Sequence, residues 1–432
     1  MTLFRKLLAD RSGNFALITA LIAVPLFGAV GLATDVTRAI SIKADIQTAA
    51  DAAALEAVSD FSVKKSYTSG GLNNASINAA KEQARKVFNA ELANRKLSDV
   101  SITMEPSISQ TGVQYHSQVT FHATMKTTFM RALNIRTLSV GGTAEASSLA
   151  PVFAQFHLLF DNSPSMGVAA TQGEIARMES LTSDQCAFAC HDLNNSNNYF
   201  NLARNNNVTL RFDLIKQAAI KIADTVTQAR FVSNQYLLNL YTFGPTAEIH
   251  KDTPVTRVAQ NLTDMSTFKS TASAIDLMTL PKSGYNNDMQ TYMPQALTAM
   301  NGYIPTPGDG SSVSSPQQIL MIVSDGVSDG YRPTGCTKQL TGTRCQEPLD
   351  PTFCDTIKAR GVRIAVLYTT YLPLPSNGWY NYYIKPFQAE IPAKMEACAS
   401  PGLYFEVSFS GGLSEAMQAL FLKAINMPRL SS

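Results

Sequence analysis

Charge is scarce in this chain. Only 16% of its 432 residues are charged and the formal net charge is +2, which gives no electrostatic case for nucleic acid. Hydrophobic residues make up 45%, which excludes a disordered chain. Histidine is scarce too, and none lies beyond His250. That removes one enzymatic reading. GVSDG, 326–330, fits a G-x-S-x-G nucleophile elbow after a strand. That fold needs its histidine after the serine, and Ser328 has none. No GxxxxGK[ST] phosphate loop occurs, so nucleotide hydrolysis is unsupported. No enzyme activity is expected. His116 and His122 share the polar face of one strand pattern and read as exposed strand residues.

What is present begins with an apolar run. FALITALIAVPLFGAVGLA, 15–33, carries no charge and follows Arg5, Lys6 and Arg11. At helical rise it spans roughly the ~30 Å hydrocarbon core of a bilayer. Basic residues before it predict a cytoplasmic N-terminus and an inner-membrane, single-pass anchor, with the bulk periplasmic or extracellular. Gly31-Leu32-Ala33 is also a small-x-small site, so a cleaved signal peptide is the alternative. The helical pattern continues, however. Ile42, Ile46, Ala49, Ala50, Ala53 and Ala57 keep one face apolar, with no Pro or Gly from 35 to 60.

Six cysteines in an exported chain point to disulfides: Cys186, Cys190, Cys336, Cys345, Cys354 and Cys398. Many pairings are possible. Local pairs Cys186–Cys190 and Cys336–Cys345 would leave Cys354–Cys398. CAFACH, 186–191, has one residue too many between its cysteines for the usual haem signature. A zinc site there would need ligands that the neighbourhood does not offer.

Three parts follow along the chain: a tip and anchor at 1–34, a helix-plus-strands module at 35–150, and a larger domain at 151–432. In the module, Ala80, Ala84, Val87, Phe88 and Leu92 form a helical stripe. VSITM (100–104), VQYHSQVTFHATM (113–125) and LSVGGTAEAS (138–147) read as strands. In the second of these, Val113, Tyr115, Val119, Phe121, Ala123 and Met125 alternate with polar residues, the pattern of a half-buried antiparallel strand. From about 152 apolar strands alternate with helices. Strands are expected at 157–160, 235–243, 317–326, 362–370 and 403–407. One helix is expected to bury Leu214, Ile215, Ala218, Ala219, Ile222 and Val226. This is the plan of an α/β domain with a mainly parallel sheet covered on both faces.

Two aspartates end strands in that domain. FDNSPSM, 160–166, places Asp161, Ser163 and Ser165 at alternate positions, and ILMIVSD ends on Asp325. Turn chemistry explains either aspartate alone. It does not explain both beside two serines, at the strand ends where α/β sheets build sites. Carboxylate and hydroxyl oxygens without His or Cys suit a hard divalent cation, Mg²⁺ first, with Mn²⁺ or Ca²⁺ as alternatives.

These residues carry a resemblance. DNSPS resembles the D-x-S-x-S signature of von Willebrand factor A (VWA) domains, whose metal-ion-dependent adhesion site adds a threonine and a later aspartate. Thr291 precedes Leu297 in the spacing that family shows, and Asp325 lies in SDG. NNDMQ stands where the family often has glycines. The resemblance covers about 152–427, with insertions at 167–210 and 329–353. It implies a Rossmann-like VWA fold and a site of Asp161, Ser163, Ser165, Thr291 and Asp325. It further implies a protein partner that offers an acidic side chain.

RSGNFALITALIAVPLFGAVGLATDVTRAISIKADIQTAADAAALEA resembles the start of TadE/TadG-like proteins of tight-adherence (Flp) pilus assembly. TadG-type members join such an anchor to a VWA domain and often end in an Arg-Leu tail, as PRLSS does here. Gly13 is followed by Ile18 where pseudopilins processed by prepilin peptidase carry glutamate, so that cleavage is not expected. Two roles are implied. One is an envelope protein of pilus assembly or anchoring that binds its partner through a metal ion. The other is a pseudopilin-like structural component with a metal-independent VWA spacer.

Overall fold

The computed structural model describes residues 14–59, 74–93, 95, 97–111, 114–149, 152–187, 198–243, 254–278, 280, 282, 284, 289–371, 373–408 and 411–426. The chain divides into two compact units, Met1–Ala150 and Pro151–Ser432.

In the first unit, helix α1 runs unbroken over Asn14–Ala57. It passes through position 34/35 without interruption. Its C-terminal half buries Ile42, Ile46, Ala49, Ala50, Ala53 and Ala57, the stripe expected from the sequence. The alanines let α2, Asn74–Ala93, approach closely through Ala80, Ala84 and Phe88. Val87 and Leu92 are only half-buried. Both helices pack on an antiparallel meander of β1 (Val100–Thr111), β2 (Gln114–Lys126) and β3 (Thr137–Leu149), in the order β1-β2-β3. On β2 the expected period of two holds: Tyr115, Val119, Phe121, Ala123 and Met125 are buried, and His116 and His122 are exposed. Val113 lies outside the described residues. Phe121 pairs with Gly142, where an added Cβ would stand 2.8 Å from the ring, so only glycine fits across from it.

The second unit is built on one six-stranded sheet, β12-β11-β7-β4-β5-β6. Its strands are β4 (Ala154–Asp161), β5 (Tyr236–Phe243), β6 (Thr256–Leu262), β7 (Gln317–Ser324), β11 (Arg363–Thr369) and β12 (Tyr404–Val407). All neighbours are parallel except β5 and β6. The polar, half-exposed TRVAQNL of β6 is the edge, and its weak apolar signal hid it from sequence reading. Counted in chain order, the six strands lie 3-2-1-4-5-6, the doubly wound arrangement.

Alternation splits each central strand between two cores. Phe156, Leu158 and Phe160 face α5 (Arg211–Ala229), α6 (Met265–Ala274) and α10 (Leu413–Asn426). Leu159, Leu320, Ile322 and Val366 face α7 (Met293–Tyr303), α8 (Thr352–Lys358) and α9 (Ile391–Cys398). On α5 the expected face is buried, with one correction. Leu214 is half-buried at the rim, and Phe212 and Ala223 take core places instead.

The described parts of both insertions carry regular structure. Within 167–210, α3 (Gln172–Leu181) and α4 (Tyr199–Asn205) add Ile175, Met178 and Ala203 to the core, and Leu210, just before α5, joins them. The second insertion folds as a small sheet, β8-β10-β9, from β8 (Val327–Tyr331), β9 (Leu340–Thr341) and β10 (Arg344–Pro348). Cys336–Cys345 closes it, and Cys354–Cys398 joins α8 to α9. Cys190 lies outside the described residues, and the Cys186–Cys190 pairing with it.

Candidate metal centre

The sheet reverses its winding between β4 and β7, and the site forms at that switch. Parallel pairing sets Phe160 opposite Val323, so Asp161 and Ser324 end adjacent strands together. The Ser324 hydroxyl donates to Asp161 Oδ2 at 2.7 Å, and the Ser163 amide donates to Asp161 Oδ1 at 3.0 Å. The Ser163 and Ser165 hydroxyls lie 3.3 Å apart. Ser163 opens a short 3₁₀ turn, Pro164–Gly167, whose proline fixes φ and turns both hydroxyls out of the strand path.

Asp325 follows β7 directly. Its Oδ1 accepts from the Val327 amide at 3.3 Å, while Oδ2 has no hydrogen-bond partner among the described residues. Gly326 makes the turn possible. Its φ is +78°, and a Cβ there would lie 2.6 Å from Ile391. The freed Gly326 amide donates to Ser324 Oγ at 3.0 Å.

Asp161, Ser163 and Asp325 are fully buried, Thr291 is nearly so, and Ser165 is half-exposed at the mouth. Burial pushes the Asp161 carboxyl up to about 7, and the neighbouring Asp325 charge adds to the rise. Hydrogen bonds from Ser163 and Ser324 oppose it. Burial likewise raises Asp325, against the pull of Arg211, the Ser165 hydroxyl and the Val327 amide. Two carboxyls held in one water-poor place each make the other harder to ionise.

Asp161, Ser163, Ser165 and Asp325 thus come together. Thr291 does not hydrogen-bond to any of the four. It is held instead by an isolated bridge to the second insertion: its amide donates to the Asp329 carbonyl at 3.0 Å and its carbonyl accepts from the Asp329 amide at 2.6 Å. Ser328 Oγ also reaches the Thr291 carbonyl, at 3.5 Å, so that serine serves the loop. Arg344 grips the Asp329 carboxylate at 2.8 and 2.5 Å and fixes β8 in turn.

Sequence reading missed two residues. Ser324 is one, although its place before Asp325 marked it. The other is Arg211, the first residue of α5. Its fully buried guanidinium lies 3.7 Å from Asp325 Oδ2, donates to the Ser165 carbonyl at 3.4 Å and sits 5.0 Å over the Tyr371 ring. An arginine opening an otherwise apolar helix face was the available signal. The oxygen donors suit a hard cation, and Asp325 Oδ2 accepts no hydrogen bond among the described residues, with Arg211 as its charged neighbour.

Comparisons with known proteins follow from this point. Residues 13–60 match a family described as putative Flp pilus-assembly TadE/G-like. No curated protein matches the chain. Among solved structures it is similar to the pilus adhesin SpaC of Lactobacillus rhamnosus GG, at 12% identity over 76% of this chain, TM-score 0.39. That alignment spans only 34% of the adhesin. It is also similar to the vWF domain of the type V pili tip protein Mfa5 of Porphyromonas gingivalis, at 9% identity over 65% of this chain and 99% of that one, TM-score 0.35. A von Willebrand factor type A protein of Catenulispora acidiphila matches at 10% identity over 76% of this chain and 50% of that one, TM-score 0.30.

The class is defined by the chain's own sheet. A doubly wound order with one antiparallel edge and helices on both faces is a Rossmann-like α/β domain. The segment ahead of it, residues 13–60, is TadE/G-like.

Proposed function

We propose that this chain is an envelope component of Flp pilus assembly or anchoring. Residues 15–33 hold it in the inner membrane, N-terminus in the cytoplasm and bulk outside. Asp161, Ser163, Ser165, Thr291 and Asp325 hold a divalent cation, Mg²⁺ before Mn²⁺ or Ca²⁺. A bound cation would supply an open position for an acidic side chain of a protein partner. No catalytic role is proposed.

The observation that carries this reading is the pairing of buried Asp161 and Asp325 at the sheet's switch point, with Asp325 Oδ2 unsatisfied. One buried arginine offsets the Asp325 charge, and Asp161, whose pKa is raised to about 7, holds a proton that a cation would displace. Ser165, the half-exposed member, marks the side from which a partner would reach the site. The anchor is supported by α1, which holds the one helix stretch among the described residues long and apolar enough to cross a membrane. Leu21, Ile22, Leu26 and Phe27 are exposed along it.

Arg211 favours a second reading. As a tethered cation beside Asp325 it would let the domain act as a metal-independent spacer, with α1 packing among pilus subunits.

Thermal melting of the full chain in detergent, with and without Mg²⁺, Mn²⁺ or Ca²⁺, separates the two. A cation at ~100 times its Kd should add about 2.7 kcal/mol of stability. Asp161→Ala should abolish the shift. No shift for the intact protein with any ion would sink the metal reading and leave the spacer. Recovery of envelope partners with and without chelator then tests the binding role.

A further inference from the structure

We infer that the β2–β3 connection, residues 127–136, is a second membrane contact that seats its apolar side chains in an anionic lipid surface beside α1. The inference rests on the reading of residues 15–33 as a membrane span.

Placement comes first. Asp35 lies two residues past the apolar run, and its carboxylate accepts the Thr128, Phe129 and Met130 amides at 3.0, 2.9 and 2.7 Å. Gly31, still inside the run, has the loop against it: a Cβ there would stand 2.5 Å from Phe129 Cβ. The loop is therefore fastened to the outer end of the span. At helical rise Gly31 is about 3 Å inside that end. If the helix crosses a bilayer, the loop is held at the interface.

The loop is also built to keep its shape. Thr127 donates its amide to the Arg136 carbonyl at 3.0 Å and its hydroxyl to the Ile135 carbonyl at 2.6 Å. A 3₁₀ turn, Met130–Leu133, ends in a left-handed Asn134, and Met130 is buried as its root. On this fixed frame Phe129, Leu133 and Ile135 are 52%, 59% and 40% exposed. The neighbouring β2 keeps its apolar residues in and its polar residues out, so the reversal is local. A rigid loop that displays three large apolar side chains to water is unfavourable. An interface about 5–10 Å deep takes such groups readily.

Charge selects the occupant. Residues 126–137 hold Lys126, Arg131 and Arg136 and no acid. Arg131 and Arg136 are exposed and form no ion pair among the described residues. Long basic side chains around an apolar tip reach phosphate headgroups while the tip enters the acyl boundary. Each basic residue near an anionic surface is worth about a five-fold bias toward it.

Tryptophan quenching in the full chain tests this. Trp379→Phe removes the one native tryptophan. Leu133→Trp then reports the loop and Leu26→Trp the anchor, both at exposed positions. The chain is reconstituted in phosphatidylcholine bilayers with and without phosphatidylglycerol, using acyl chains brominated at shallow or deep positions. The expected result is quenching of the Leu133→Trp reporter by shallow bromines, stronger with phosphatidylglycerol. Arg131→Glu with Arg136→Glu should remove that lipid dependence. Quenching at 26 alone, with the 133 reporter open to aqueous iodide, overturns the loop proposal and leaves the anchor standing. A 133 reporter shielded from both bromine and iodide also overturns it, because protein then covers the loop. Quenching at neither position overturns the anchor and the loop together.

Discussion

The β1-β2-β3 meander and the six-stranded sheet solve opposite problems. The β1-β2-β3 meander is covered by helices on one face, and its other face displays His116 and His122. The six-stranded sheet is covered on both faces, and its strand β4 is buried at every position. A one-sided sheet must alternate, so its polar residues are spent on solubility. A two-sided sheet has no solvent face, so its polar side chains are buried with hydrogen-bond partners, as His157 and Asn239 are, or stand at strand ends. Asp161, Ser324 and Asp325 lie at such ends. Buried Asp161 on the second sheet is perturbed for that reason. Buried His157, sharing its ring nitrogens with Gln318 and Tyr241, has its pKa lowered to about 4 by desolvation.

Substitutions should sharpen this contrast. Phe160→Ala empties a fully buried place in the two-sided sheet and should cost about 3–5 kcal/mol, read by denaturant melting of the second unit. Loss of Cys354–Cys398, whose partners are separated by 44 in sequence, should cost about 4 kcal/mol. Loss of Cys336–Cys345, separated by 9, should cost about 2.5 kcal/mol. An equal effect of the two would mean that loop entropy is not their main contribution. Gly326→Ala should cost about 2–3 kcal/mol, from the left-handed φ plus the approach to Ile391. It should also weaken any cation shift, since Asp325 turns with that residue.

The pH response has a definite sign. Asp161 binds its proton more tightly folded than unfolded, so cation-free stability falls as pH rises from about 3.8 to about 7. The slope from one group is at most about 1.4 kcal/mol per pH unit. Mg²⁺ should oppose that fall, because it competes with the proton. Asp161→Asn should flatten the curve, and melting across that pH range reads both. His157 acts the other way, with stability lost as pH falls from 6.5 toward about 4. The smallest effect belongs to the one-sided sheet's outer face, where His122→Ala should stay within about 0.5 kcal/mol.

Periodicity settled a great deal in advance. Apolar runs of the two-sided sheet, the alternation of β2 and the alanine face of α1 are local patterns, and burial follows them directly. Spacing also named four residues that do meet: Asp161, Ser163, Ser165 and Asp325. Three things needed the tertiary structure. The strand order that sets β4 beside β7 depends on which helices cover which face, a long-range matter that no window of sequence contains. The position of Thr291 depends on Asp329, 38 residues later, through a backbone bridge that carries no side-chain signature. Arg211 reaches Asp325 only because α5 begins where β7 ends, so its charge counts at the site through space and not through spacing. Local pattern is written in side-chain chemistry, which sequence displays. Partnership is decided by packing energy summed over the whole sheet, and only the folded chain performs that sum.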